Sequence, residues 1–550
     1  MVAVILFEGG LTLKLYEWRE SGAPILGLCT IGALVSMVLS SLVIHYLLGF
    51  DWRVAALLGA ILVVTGPTVI APLLRHVQPS RKVGALLKWE GIVVDPIGAI
   101  LAVLVFQATF VDHDQPWQGI LQSIVTTIAV NVLFGYVLGR LLGGMLRRHW
   151  IPDFLEGYFF LAAVAFAFTA ANAIQKESGL LAVTIMGMVL ANRKQLAVRE
   201  LLTFKEHLRV LIISLLFVLL AGRISPEQMK EAFWPALTLF LALIVVVRPV
   251  SVYLATQFRS GLSWNERHFI AAMAPRGIVA AAVTSVFALE ILHITGGEAA
   301  GGEIAREAAM MVPIVFLVII GTVGLYGLAA VPLAELLGIA SKTNDGVLFA
   351  GASAWVRQLA HALQENGHAC ILLDTNFGNV SAARMRGLAA HRVSILSEYA
   401  EEEMDLSGIG QLVAALSNDG VNSLAASELS HHFGRANVWQ IRPRPPDTAG
   451  RAAISESRQA RICFSGAPTW LMLEKLASEG WQVKRTTFTE KFGIGDFLQQ
   501  YEAEPIALFL LGPKEKPLRP FAADSDIRAI PAGTTLFALV PPKRSASEIK

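Results

Sequence analysis

The sequence predicts a multi-spanning α-helical membrane protein that carries a cytoplasmic α/β tail. Three observations lead there. Across residues 1–338, apolar runs of membrane-crossing length alternate with short polar loops. Charged residues are only 16% of the chain, against about 25% in an ordinary soluble domain. From 339 to 550 the composition becomes that of a soluble protein, so the charge deficit belongs to the first part alone. The net charge of +2, with no Lys/Arg run interleaved with aromatics, excludes a nucleic-acid partner as the expectation. Cys29, Cys370 and Cys463 are too scattered for a disulfide framework or a metal cluster, and no metal site is expected.

Hydropathy places spans near 1–13, 23–47, 54–74, 83–106, 119–142, 156–175, 179–191, 207–222, 233–254, 267–292 and 308–336, about eleven in all. The first has about a dozen residues where about 20 are needed, and it lacks the basic start of a signal peptide. The expectation is that Met1 lies inside a helix whose upstream sequence is missing. Basic residues collect in alternate loops: Arg75, Arg81 and Lys82; Arg140, Arg147 and Arg148; Arg193, Lys194, Arg199 and Lys205. Such loops stay on the cytoplasmic side of the bilayer, which puts the tail in the cytoplasm and the protein in a bacterial inner membrane.

The segment Lys88-Trp-Glu-Gly-Ile-Val-Val-Asp-Pro96 sets two acids, Glu90 and Asp95, inside an apolar span. Ionisable groups at that depth cost roughly 2.5–3.5 kcal/mol each on insertion scales and usually line an ion or proton path. Pro96 has no N–H for the Ile92 carbonyl, leaving an open oxygen near Asp95. The plainer reading is a kinked span whose acids are paired with bases. Thr65-Gly-Pro-Thr-Val-Ile-Ala-Pro72 interrupts the third span through Gly66, Pro67 and Pro72, and Ala274-Pro-Arg-Gly277 interrupts the tenth through Pro275. One interrupted span is often a simple kink, but a pair in the two halves of a membrane protein points to a midplane transport site. Glu8 and Arg248 add another acid and base at membrane depth, either as structural partners or near a helix end.

On these motifs, residues 1–338 resemble the first family of monovalent cation:proton antiporters. Phe7-Glu8-Gly9-Gly10 resembles the acidic motif of that family's third helix. Thr65-Gly66-Pro67 stands where its fifth helix has Thr-Asp-Pro, the Glu90–Asp95 segment where its sixth reads Gly-Glu-Ser-Leu-Leu-Asn-Asp, and Arg276-Gly277 resembles the arginine of its twelfth. The resemblance implies an inverted-repeat fold of thirteen helices, two of them absent here, and a homodimer exchanging Na⁺ or K⁺ for H⁺. It also implies Asp95 as the ion- and proton-binding group, with Thr65 and Glu8 as helpers, and a structural pair between Glu90 and Arg276. Gly66, Gly91 and Val94 depart from the family's polar residues, leaving Asp95 with nearly all the site's charge. Glu90 and Asp95 point about 140° apart on a helix, so they do not share one ligand.

The tail reads as two parts, 345–446 and 461–541, joined by a Pro- and Arg-rich linker. In the first part, a strand from Gly346, a turn at Gly351, a helix and a second strand ending at Asp374 outline a Rossmann half. Ser353 and Val356 replace its second and third glycines, a weak fingerprint. The whole resembles the regulatory domains that control potassium conductance (RCK-type), which implies NAD(H) or an adenine nucleotide as a regulatory ligand at Gly351, Ser353 and Asp374. No nucleophile elbow, P-loop or Cys/His spacing supports an enzyme. The rivals are a non-transporting sensor on an antiporter scaffold and a ligand-gated cation channel. The channel lacks a filter loop between two spans.

Overall fold

The apolar runs fold as helices in the computed structural model, which describes residues 2–111, 117–174, 178–193, 211–215, 217–219, 221–222, 224–257, 261–296, 302–340, 345–397, 399–400, 404–444, 455, 458–501, 503–512 and 517–542. Asp112, Asp114, Lys194, Arg199 and Lys205, the start of the eighth span and the end of the linker lie outside these residues. The chain forms two compact units, Met1–Ala340 and Ser341–Lys550.

The first unit contains α1 (Val2–Thr12), α2 (Leu15–Gly27), α3 (Ala33–Leu48), α4 (Trp52–Ile61), α5 (Pro67–Val77), α6 (Arg81–Phe106) and α7 (Trp117–Arg147). It continues with α8 (Glu156–Ile174), α9 (Gly179–Ala191), α10 (Pro226–Ala242), α11 (Arg248–Thr256), α12 (Trp264–Ala272), α13 (Ile278–Ile294) and α14 (Gly302–Leu336). Among the described residues, six helices or fused pairs are long and apolar enough to cross a membrane, including Arg81–Phe110 and Gly302–Leu336. The short apolar helices α1 and α9 instead pack on one another inside the bundle. A Cβ on Gly10 would stand 2.3 Å from the Thr184 carbonyl oxygen, and one on Gly187 2.3 Å from that of Phe7. Small residues at such crossings let two backbones approach closely in a membrane. Helix α6 runs through the middle, with Leu86, Glu90, Val94, Asp95 and Gly98 all buried.

Two expected spans are broken. Between α4 and α5, Leu62–Gly66 leaves the helix, and Gly66 is extended (φ −93°, ψ 102°) ahead of Pro67. Between α12 and α13, residues 273–277 do the same around Pro275. Pro67 fits because the first helical position needs no N–H. Pro72 and Pro96, expected to break their helices as well, lie within continuous α5 and α6. One missing N–H is tolerated where neighbouring helices hold the segment, and the chain opens instead where glycine and extended backbone coincide.

In the second unit, β1 (Gly346–Ala350), β2 (Cys370–Leu373), β3 (Ala389–His391), β4 (Ile409–Ala414), β5 (Val438–Gln440) and β6 (Arg461–Ile462) form one sheet in the order 3-2-1-4-5-6. Every neighbouring pair is parallel, with Val347 facing Cys370 on one side and Gln411 on the other. Strand β1 is central and wholly buried, which is why it reads as a continuous apolar run. Strands β7 (Gln482–Thr487), β8 (Ile506–Leu511), β9 (Arg519–Pro520) and β10 (Thr535–Val540) form a second, antiparallel sheet. The sequence division at 446/461 differs from what is seen: Arg461–Ile462 closes the first sheet, Arg461 pairing with Trp439. The two sheets also share a core, where Phe349 meets Phe509 at 6.3 Å and Trp355 meets Phe464 at 5.8 Å between ring centroids.

Candidate ion-binding site

The two breaks cross each other. The Gly66 N–H donates to the Pro275 carbonyl at 2.9 Å. A Cβ on Gly66 would stand 2.5 Å from the Gly277 Cα, and one on Gly277 2.4 Å from the Gly66 Cα. Only glycine permits this approach. The acid that the family's pattern has in place of Gly66 has no room here.

Helix breaks leave carbonyls open, and here Arg276 fills them. Its Nη1 donates to the Val63 and Val64 carbonyls at 3.2 and 3.3 Å, and its backbone N–H to Thr322 Oγ1 at 3.3 Å. The Val63 oxygen is the one that Pro67 cannot satisfy. Arg276 is therefore committed to the end of α4 and not, as the sequence suggested, to Glu90. Glu90 is held by Arg248 instead, in a two-point pair: Nη1 to Oε1, and Nη2 to Oε2 at 2.9 Å. Nη2 also donates to the Ile270 and Met273 carbonyls at 3.1 and 2.9 Å, so one guanidinium ties α6 to the end of α12. The reason is local. A π-helical turn over Leu243–Val247 inserts an extra residue just before Arg248 and turns that side chain inward.

Asp95 sits on α6 one and a half turns beyond Glu90 and is completely buried. Neither carboxylate oxygen has a hydrogen-bond partner among the described residues. The Thr65 and Thr68 hydroxyls, at the break and in the first turn of α5, are likewise buried without partners. Gly98, a turn past Asp95, packs directly on this break, where a Cβ would stand 2.5 Å from Val64 Cγ2. Arg276 is the charged group whose field reaches Asp95. Buried polar atoms in native proteins are nearly always satisfied, so a carboxylate and two hydroxyls left over around one break mark a place for an ion or proton. Thr68 carried no signal beyond its place in the Gly/Pro-rich segment. Glu8 is buried on α1, next to Gly9, whose Cβ would lie 3.3 Å from the Ile92 side chain on α6. Also absent from the sequence reading is Glu17, whose carboxylate takes Lys88 Nζ and, at 2.7 Å, Trp89 Nε1, fixing α2 to α6.

Residues 1–336 match the family described as sodium/hydrogen exchanger, transmembrane. The chain belongs to that family. Its relatives include a K(+)/H(+) antiporter, NhaP2, of Shewanella sp. (strain ANA-3), 24% identical over 279 residues, which are 50% of this chain and 48% of that protein. A probable Na(+)/H(+) antiporter 2 of Methanocaldococcus jannaschii is 24% identical over 303 residues, 52% of this chain and 71% of the relative. The chain spans about half the length of the first of these curated relatives. The membrane fold is like that of the sodium proton antiporter MjNhaP1 from M. jannaschii, with a TM-score of 0.52 at 22% identity over 61% of this chain and 84% of that one.

Outside the part matched to the exchanger family, the tail has a cleft of about 430 Å³ at the carboxyl ends of β1, β2 and β4. It is lined by Gly351, Ser353, Asp374, Asn376, Asn418 and Trp470, among others, with no Lys or Arg among the described residues of its walls. Gly351 needs φ +120°, and its missing Cβ would stand 2.8 Å from the Ala415 carbonyl. Ser353 occupies the N-cap position of the helix Ala354–Gln364 without a side-chain capping bond, and its buried hydroxyl has no partner among the described residues. Asp374 is already engaged: it accepts from the Ala352 N–H (3.0 Å), Asn379 Nδ2 (2.9 Å) and the Asn376 N–H (2.8 Å). Val356 is fully buried, where the fingerprint has its third glycine. The helix N-terminus and the Ser353 hydroxyl suit a phosphate oxygen, while the Asp374 carboxylate is largely occupied by the loop itself.

Proposed function

We propose that the membrane unit exchanges a monovalent cation, Na⁺ or K⁺, for protons, and that Asp95 is the group the two compete for. One observation carries this reading: the fully buried Asp95 carboxylate has no donor among the described residues, beside the crossing of two broken helices. Thr65 and Thr68 are the helpers that supply uncharged oxygens. Arg276 offsets the charge without occupying the carboxylate, and the Glu90–Arg248 pair holds α6 in place. Alternating access then carries cation and proton in opposite directions, one at a time, because a single carboxylate cannot hold both. The printed names of the relatives, K(+)/H(+) and Na(+)/H(+) antiporters, support the same substrates. The test is cation-dependent pH change in everted membrane vesicles. Wild type is expected to exchange and Asp95→Asn to be silent at equal protein. Exchange by Asp95→Asn at the wild-type rate overturns the assignment, and no exchange by wild type favours the non-transporting sensor that Gly66, Gly91 and Val94 suggest.

The reading places the protein in the bacterial inner membrane as a homodimer, with its tail in the cytoplasm as a regulatory domain. The parallel order 3-2-1-4-5-6 is that of a dinucleotide-binding doubly wound sheet, and its cleft lies at the point where strand order reverses. The ligand is NAD(H) or an adenine nucleotide, with a phosphate held by Ser353 and the start of the helix after it. Truncation after Ala340 is expected to leave exchange intact and to remove any response to these nucleotides. Identical behaviour of the two proteins under every condition excludes regulation by the tail.

A further inference from the structure

Where α7 and α9 end together, three arginines converge, with no acid paired to them among the described residues. Arg140 and Arg147 are seven residues apart on α7, so they share a face, and Gly143 lies between them on it. The Arg193 side chain, two residues past the end of α9, lies across that glycine. A Cβ on Gly143 would stand 2.6 Å from Arg193 Nη1 and 2.8 Å from its Cδ. The guanidinium of one helix end is thus drawn into a groove between two like charges on its neighbour. Among the described residues none of the three is paired with a carboxylate, unlike Lys88 with Glu17 and Arg248 with Glu90. Burial first, and then the charges of Arg140 and Arg147, pull Arg193 below the usual arginine range. Left alone, like charges at this spacing repel, so the arrangement calls for an anion.

The surroundings say which kind. Just beyond the end of α7, Trp150, Phe154 and Tyr158 are 64, 77 and 65% exposed, and Arg148 lies over the Trp150 ring at 5.4 Å. Exposed aromatics in such a band mark the level of lipid headgroups. Earlier on α7, toward the membrane interior, Leu133, Val137 and Leu141 are exposed and apolar, a face for acyl chains. A groove with guanidiniums at headgroup level and an apolar wall beneath fits an amphipathic anion.

We propose that Arg140, Arg147 and Arg193, seated over Gly143, form a binding site for the phosphate headgroup of an anionic phospholipid, which bridges α7 to α9. Basic pockets between transmembrane helices recognise such headgroups by charge and bidentate hydrogen bonding.

The experiment uses the full chain in detergent supplemented with phosphatidylcholine, with cardiolipin, or with inorganic phosphate at the same charge. Lipid retained by the protein is counted by native mass spectrometry, and the unfolding temperature is measured in parallel. Wild type is expected to retain cardiolipin and to unfold several degrees higher with it than with phosphatidylcholine; inorganic phosphate has no such effect. The double variant Arg147→Gln with Arg193→Gln is expected to lose more than half of both signals. Gly143→Leu keeps every charge but evicts Arg193 from the groove, and is expected to lose them too. The proposal is overturned if wild type does not distinguish cardiolipin from phosphatidylcholine, or if the double variant responds like wild type. It is equally overturned if inorganic phosphate reproduces the full shift, which assigns the groove to a soluble anion.

Discussion

Glu90 and Arg248 meet through two parallel hydrogen bonds in the interior of the membrane unit, each side chain about 95% buried. Removing one partner of a buried pair leaves the other charge stranded, at a cost of about 3–5 kcal/mol. Glu90→Gln and Arg248→Met are each expected to reduce folded protein severely, and the double replacement to recover part of it. Fluorescence-detected size exclusion reads the amount. Arg276→Met combined with Glu90→Gln should show no such recovery. If that combination recovers and the Arg248 combination does not, the pairing is wrong.

The Thr65 and Thr68 hydroxyls have no partner among the described residues, so removing them strands nothing there. Thr65→Val and Thr68→Val are expected to fold as well as wild type. Each should raise the half-saturating cation concentration about tenfold, equivalent to about 1.4 kcal/mol of lost binding. Titration of cation in the vesicle assay checks this. Unchanged half-saturation in both variants removes the threonines from the site.

Ala at Gly66 or Gly277 places a methyl inside the opposite backbone. Both substitutions are expected to abolish transport, whereas Gly144→Ala, with nothing within 4 Å of its Cβ, should be silent. Full activity in Gly66→Ala would mean that the two breaks stand farther apart than described.

In the tail, burial pushes the Cys370 thiol up to about 12, with the Asp345 carboxylate adding to the effect. Because the shift is upward, the thiol form persists at pH 8, where about one molecule in ten thousand carries thiolate. Burial raises Cys463 in the same direction. Neither should react with maleimide in the folded protein at pH 8, and both should react once it is unfolded in urea. Rapid labelling of Cys370 in the native state would contradict the burial of β2.

The membrane fold was legible because charge is so sparse in residues 1–338 that each acid stands out. Glu90, Asp95 and the two Gly/Pro breaks could be found from the chain alone. The partner of Glu90 could not. It depends on a π-helical turn at Leu243–Val247, and an inserted residue in a uniformly apolar run leaves hydropathy unchanged. Arg276 misled for a related reason: its guanidinium binds backbone carbonyls, which every residue has and no sequence advertises. Glu17 sits in a polar stretch between two expected spans, where an acid excites no notice until Trp89 is found against it. In the tail, the two-residue strand Arg461–Ile462 was too short to register as part of a sheet begun more than a hundred residues earlier.

At the crossing of Gly66 with Gly277, the interrupted helices touch through bare backbone. A joint without side chains has nothing to interlock, so it resists compression while opposing little torque. On this geometry it is expected to serve as a fulcrum about which the two halves of the bundle tilt. A wedge at a fulcrum does not slow both strokes equally. Any Gly277→Ala protein that folds is therefore expected to be held at one tilt, with cysteines introduced on one side of the membrane accessible to label and those on the other side shut.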